Sequence, residues 1–366
     1  MKKKLIIFIP HIRGGGVEKN FFIISNYLAK RIEKISVITI NKEYKNKLSK
    51  NINLISPKSS KWKYSGIYTK YIISIYLLIK TLLTEKKCLV LSFQANWYAI
   101  LVVKFFGSKI ITRSNTAPEG WSNNTIKKFF YKIILKLADQ IIVNSKEFKR
   151  NMFYKFGIKT TLIYNPLNHK QIIKLSKKKF KFPFFKNKKY FKIINIGRFT
   201  DQKNQILILK AFKNLKEKFK LKLVIAGRGP NKNLLTNYVK DNKLNKSAKI
   251  INFLNNPYPL MKMSNVFILS SNFEGLPNVL LEAQTLKLPI ISTDCPTGPK
   301  EILQNGKLGQ FIRVKNQKDL ENKIIFSVKN KKYLNNTAIE GYKYLFRFNE
   351  NTNLNKYYNV IKKYLN

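Results

Sequence analysis

Two glutamates, Glu274 and Glu282, lie in the stretch SSNFEGLPNVLLEAQTLKLPIISTD, in a chain of 366 residues with 18 acidic and 71 basic side chains. Glu274 falls in a loop after an apolar run. Glu282 falls in the second turn of the helical pattern NVLLEAQTL, so both face the same end of a sheet. Carboxylates accept hydrogen bonds from vicinal hydroxyls of the kind sugars carry. Between them the run Gly275, Leu276, Pro277, Asn278, Val279 opens the helix. A helix start presents unpaired backbone N–H groups, and proline is tolerated in its first turn. Acceptors for hydroxyls beside donors for oxyanions would suit a sugar joined to a diphosphate. A second reading stays open: Glu274 only compensates a helix dipole and Glu282 is exposed.

Three glycine-bearing stretches add to this pattern. In NIGRFTDQKNQ, Gly197 ends a strand, Arg198 follows, and Lys203 stands where a helix begins. Two cations and a helix end aimed at one point would hold a pyrophosphate. In HIRGGGVEKN, Gly15 and Gly16 let backbone approach a ligand at the first helix. The dinucleotide fingerprint fails there, because it would require glycine at Lys19. IAGRGP places Gly227 and Gly229 at a neighbouring strand end, where a tight turn explains them equally well.

Arginine is informative because lysine dominates the basic residues. Four arginines, Arg13, Arg113, Arg198 and Arg228, follow apolar runs directly. A planar guanidinium fits phosphate better than an ammonium does. The net charge of +53 has two readings. One is a compositional bias that mainly solvates the surface. The other is a charge that also assists binding to anions or to an anionic membrane surface. Cys88 and Cys295 are far apart and form no disulfide or metal spacing, which fits a reducing cytoplasm. The five aspartates include no Asp-x-Asp pair. The opening MKKKLIIFIPHIRGGG reads as a buried strand and not a signal peptide. YIISIYLLIKTLL is short for a spanning helix and contains Lys80, so it reads as a buried or membrane-surface helix.

These residues need a scaffold, and the apolar pattern supplies one. LIIFIP, ISVITI, CLVLSF, KIITRS and QIIVNS alternate with helical segments in the first half. Near TLIYNPLNHK the pattern stops. A lysine-rich stretch with aromatics follows, and then FKIINI, LKLVIAG, AKIINFL, NVFILSS and PIISTD resume the alternation. Short continuous apolar runs between helices predict parallel sheets covered on both faces. The expectation is α/β with two doubly wound Rossmann-like domains, at 1–168 and 190–346, a linker at 169–189, and a terminal helix at about 347–366 packing back on the first domain. Such sheets bind ligands beyond the carboxyl ends of their strands, so the site is expected in a cleft between the domains.

EGLPNVLLEA, GRFTDQKN and GGGVEK together resemble the signature elements of the family 4 glycosyltransferases, with DCPTGPKEIL through NGKLG similar to the stretch that follows. The resemblance covers essentially the whole chain and is most specific in its second half. It implies the GT-B fold, a retaining mechanism and no metal or cofactor. Carried over, Arg198 and Lys203 bind the donor diphosphate and stabilise it as it leaves. Glu274 contacts the donor sugar, Gly275 to Val279 supply backbone donors, and Glu282 holds the ribose hydroxyls. Gly197 and Gly229 line the donor site, and Gly15 and Gly16 approach it from the first domain. Many relatives carry a histidine near the acceptor. Here that region reads ITRSNTAPEGW, which leaves Arg113 and Asn115 as acceptor-side candidates. The expected partners are a nucleoside-diphosphate sugar, UDP-linked, and a saccharide or lipid-linked saccharide acceptor. Nucleic acid is not expected. A basic nucleic-acid-binding protein and a nicotinamide-dependent Rossmann enzyme are the rival readings, the second disfavoured by the failed glycine fingerprint.

Overall fold

The computed structural model describes residues 4–12, 14–59, 61–85, 87–115 and 125–365. The chain divides into two units, one of residues 1–166 with 350–366 and the other of residues 167–349.

In the first unit the apolar runs become β1 (Leu5–Phe8), β2 (Ile35–Ile38), β3 (Ile52–Ile55), β4 (Leu89–Ser92), β5 (Lys109–Arg113), β6 (Gln140–Val143) and β7 (Thr161–Leu162). All pair in parallel in the order β3-β2-β1-β4-β5-β6-β7. The helices are α1 (Gly16–Leu28), α2 (Ile67–Thr84), α3 (Asn96–Phe105), α4 (Thr125–Lys136) and α5 (Lys146–Phe156). Successive strand residues face opposite sides of a sheet. Leu5 and Ile7 pack with Phe21, Ile24 and Leu28 of α1, whereas Ile6 and Phe8 pack with buried residues of α2, α3 and α5. Both faces are therefore covered, which is why the central strands read as unbroken apolar runs.

The second unit opens with α6 (His169–Ser176) and continues through β8 (Phe191–Ile196), α7 (Gln205–Leu215), β9 (Leu221–Gly227), α8 (Lys232–Asp241) and β10 (Ala248–Asn252). It proceeds through α9 (Tyr258–Lys262), β11 (Val266–Leu269), α10 (Asn278–Thr285), β12 (Ile290–Thr293), α11 (Gly298–Ile302) and β13 (Gln310–Ile312). It closes with α12 (Gln317–Lys329) and α13 (Lys331–Lys343). Its sheet is also parallel, in the order β10-β9-β8-β11-β12-β13. Phe212, Leu223, Ile225, Ile268 and Leu320 share one core on a face covered by α7, α8 and α12.

The stretch 169–189, expected as a linker, is part of the second unit. Asn168 caps α6 by accepting from the Gln171 N–H at 2.8 Å, and α6 packs against α9 and α10. Asn256 Nδ2 donates to Leu175 O at 2.9 Å, and Phe185 is buried. The lysines there belong to the solvent side of folded structure. The chain returns to the first unit as α14 (Glu350–Leu365), whose Leu354, Tyr357 and Ile361 join the core beneath α1.

Candidate active site

The strand order of the second unit reverses between β8 and β11, which are direct neighbours with Val266 opposite Ile193. At such a switch point the two following loops diverge over opposite faces and leave a crevice at the strand ends. The loop after β8 carries Gly197, Arg198 and Lys203, and the loop after β11 carries Glu274. The topology thus joins residues 71 positions apart in sequence.

Hydrogen bonds lace the two loops together. Ser270 Oγ donates to Lys203 O at 2.8 Å, and the Asn272 N–H to Gln202 O at 2.8 Å. Asn272 Nδ2 donates to Asp201 O at 2.8 Å, and Gln202 Nε2 to Phe273 O at 2.9 Å. Within this frame Lys203 Nζ forms an ion pair with Glu274 Oε1, which also accepts from Ser271 Oγ at 2.6 Å. The side chains of Lys203 and Glu274 are 16% and 7% exposed, so the pair is largely removed from water. Arg198 is different. Gln205 Nε2 fixes its carbonyl at 2.8 Å, while its exposed guanidinium has only a long contact to Gln202 Oε1, at 3.4 Å. The loop backbone is rigidly placed and the guanidinium is available to an anion.

Glu282 is buried, not exposed, and Tyr258 Oη donates to its Oε1 at 3.2 Å. Tyr258 and the loop-lacing residues Gln202, Ser270, Ser271 and Asn272 are positioning groups that sequence reasoning missed. Serines and amides in a loop carry no periodic signal, and Tyr258 sits in a short helix with no motif around it. The run Gly275 to Val279 leads into α10, with Pro277 at its N-cap and Asn278 and Val279 in its first turn. It is held from behind, since the Glu274 N–H donates to Pro296 O at 2.5 Å and the Thr297 N–H to Glu274 O at 3.1 Å. Gly298 completes this contact: a Cβ there would lie 2.1 Å from Gly275 O. Cys295 lies below. Burial, with Glu274 nearby, pushes its thiol up to about 12.

Several candidate glycines have structural roles of their own. At Gly229, expected to line the donor site, a Cβ would lie 2.3 Å from Phe199 O, and the φ of +153° disfavours a side chain. Its glycine character is explained by packing against the neighbouring loop. Gly227 is similar, with Gly197 O 1.9 Å from its would-be Cβ. In the first unit, the Gly15 N–H donates to Glu18 Oε2 at 2.9 Å. The start of α1 is therefore capped by its own carboxylate, which engages the donor expected to meet a phosphate. Gly16 is the first residue of that helix.

The acceptor-side expectation for Arg113 also yields. Arg113 is 1% exposed, its Nε donating to Tyr357 Oη at 2.8 Å and its Nη2 to Asn165 Oδ1 at 2.6 Å. It anchors α14 to β5 and does not face an acceptor. Asn115 Nδ2 bridges strand ends by donating to Phe93 O at 2.8 Å. Residues 116–121 of ITRSNTAPEGW, and Arg13, lie outside the described residues. Arg228 rests on the Phe253 ring at 4.7 Å. Among the described arginines that follow strands, Arg198 retains the geometry of an oxyanion ligand. No three His, Cys, Asp or Glu side chains converge as a metal site among the described residues.

Two parallel-sheet α/β units of this topology are the GT-B fold. Residues 176–344, within the second unit, match the family model described as Glycosyl transferases group 1. An uncharacterized glycosyltransferase of Methanocaldococcus jannaschii is 39% identical over 47% of this chain and 44% of its own. The N-acetylgalactosamine-N,N'-diacetylbacillosaminyl-diphospho-undecaprenol 4-alpha-N-acetylgalactosaminyltransferase of Campylobacter jejuni is 29% identical over 61% of this chain and 62% of its own. The chain thus spans less than two thirds of the length of these two relatives. Among solved structures, Anabaena HepE in complex with UDP-glucose superposes with a TM-score of 0.78 at 15% identity, over 98% of this chain and 99% of that one.

Proposed function

We propose that the protein is a glycosyltransferase of family 4 type, moving a hexose or N-acetylhexosamine from a UDP-sugar to a saccharide or lipid-linked saccharide in surface polysaccharide or glycoconjugate synthesis. The observation that carries the reading is the convergence of Arg198, Lys203 and Glu274 at the β8/β11 switch point. The match of residues 176–344 to the group 1 family model supports it. The relative acting on a diphospho-undecaprenol substrate and the UDP-glucose complex of HepE support the acceptor and donor classes.

The chemistry follows from charge. Breaking the anomeric bond leaves negative charge on the departing diphosphate. The start of α10 meets that charge with backbone donors, and Arg198 reaches it from a loop whose backbone is fixed. They stabilise the transition state more than the ground state. Lys203 is shared: its ammonium neutralises Glu274 and faces the same strand ends, so it can balance the sugar-side carboxylate and the phosphates together. Glu274, held by Ser271 and Lys203, accepts from a sugar hydroxyl, and Glu282, held by Tyr258, from the ribose. Transfer proceeds with retention and without a metal.

The test is a panel of UDP-sugars, following UDP release with and without saccharide acceptor. One UDP-sugar is expected to turn over. Arg198→Ala and Glu274→Gln should each lower the rate by roughly two to three orders of magnitude while thermal unfolding stays that of a folded protein. Wild-type rates in both variants would refute the roles. Binding of NAD or of single-stranded DNA at physiological salt in place of UDP would favour the rival readings.

A further inference from the structure

The outward faces of α2, α3 and α4 are apolar where a solvated helix should be polar. On α2 the exposed stripe is Tyr68, Ile72, Tyr76 and Leu83, recurring at helical spacing with Lys80 between them. On α3 it is Tyr98, Leu101 and Phe105, the last 85% exposed. On α4 it is Phe129, Phe130 and Ile133, with Leu137 just past the helix end. The opposite faces of α2 and α3, with Leu135 of α4, are buried on one side of the first sheet. α3 packs against both α2 and α4, so the stripes form one layer. A contiguous exposed patch of this kind marks an interaction surface.

Charge identifies the occupant. The sequences of α2, α3 and α4 contain no aspartate or glutamate but do contain lysines, including Lys80, Lys132 and Lys136, while Lys104 is paired with Asp139 at the end of α3. Aromatic rings and aliphatic side chains amid basic residues on helices without acidic side chains match the boundary between lipid headgroups and acyl chains, where the headgroups are anionic. Among the described residues α2 is the one helix long and apolar enough to cross a bilayer. Its Leu78 and Leu82 are nevertheless committed to the sheet core, and Ser74 Oγ donates to Pro10 O at 3.2 Å. In this fold it can lie on a membrane and not through one.

We infer that the α2–α3–α4 face of the first unit docks this protein on an anionic lipid surface, with Tyr68, Ile72, Tyr76, Phe105 and Phe129 entering the interface. The docking face does not depend on the proposed transfer reaction, and its test reads no turnover.

The experiment is cosedimentation of the full chain with vesicles of phosphatidylcholine alone or mixed with phosphatidylglycerol. Binding to the mixed vesicles, weakened by salt, is expected. The combined variant Ile72→Ser, Tyr76→Ser, Phe105→Ser, Phe129→Ser should bind roughly tenfold more weakly or worse. Exchange of exposed apolar residues of the second unit, Leu234→Ser and Phe346→Ser, should leave binding unchanged. Should the combined variant fold poorly, Phe105→Trp replaces it. The emission it adds to that of the native tryptophans should be quenched by brominated lipids, and the emission added by Leu234→Trp should not. Three results would overturn the inference: wild-type protein left in the supernatant with anionic vesicles, a folded combined variant that sediments like wild type, or an unquenched Trp at 105. A dimer in analytical ultracentrifugation that the same substitutions dissociate, without vesicle binding, would assign the face to a second copy instead.

Discussion

Lys203 and Glu274 hold one another in a nearly dry setting, and that makes them sensitive to single changes. Removing one member of a buried pair leaves the other charge without compensation, a loss of about 3–5 kcal/mol. Lys203→Met should therefore lower the urea midpoint of the second unit strongly. Combining it with Glu274→Gln should restore much of the loss, because the uncompensated charge is gone. If the double variant is as unstable as the single one, the pair is not the cause. Cys295 is a second residue-scale case. Its folded thiol is raised from 9.0 to about 12, chiefly by burial. The stabilisation linked to this group is complete below pH 9.0 and fades as pH rises from there through about 12. Cys295 should resist a disulfide reagent at pH 8 in the native state and react at once in denaturant. Fast labelling of the native protein at Cys295 would contradict the buried thiol.

At the scale of elements, neighbouring loops are set by glycines that admit no side chain. Gly298 meets Gly275 O, and Gly227 meets Gly197 O. Gly298→Ala must push α11 off the Glu274 loop. Overpacking of this sort costs about 1–3 kcal/mol, and the displaced loop should reduce transfer as well, read by thermal unfolding and by UDP release on one sample. The tie between α14 and β5 is the other vulnerable joint. Tyr357→Phe deletes the hydroxyl that accepts from Arg113 Nε. A buried guanidinium donor is then unsatisfied, at about 1–3 kcal/mol. Equal stability of Tyr357→Phe and wild type in urea titration would show that the bond carries no weight.

For the whole molecule, the path of the chain matters more than any pair of residues. The first unit is completed by α14, after the chain has built the whole of the second. A chain ending at residue 349 lacks Leu354, Tyr357 and Ile361 from the first core. It should keep the cooperative unfolding of the second unit and melt the first at a lower temperature. Limited proteolysis should then cut within 1–166 and spare 167–349. The separation is expected because each unit has its own sheet and its own hydrophobic core.

The sequence by itself determined the two alternating β/α halves, because central parallel strands are buried on both faces and so appear as continuous apolar runs. It passed over β3, β7 and β13, all edge strands, whose half-covered or very short segments carry no such run. It also picked out Arg198, Lys203, Glu274 and Glu282, since their types and spacing survive in one dimension. Only the tertiary structure decided which of the remaining candidates are sealed in the fold and which stay open to solvent. Arg113 and Arg198 look alike after their strands, yet one is sealed beneath α14 and the other is open to solvent. Gly229 and Gly275 look alike in their loops, yet one answers to Phe199 across a gap that sequence spacing does not encode. Burial and close approach depend on what arrives from elsewhere in the chain, and that is fixed when the strands take their order.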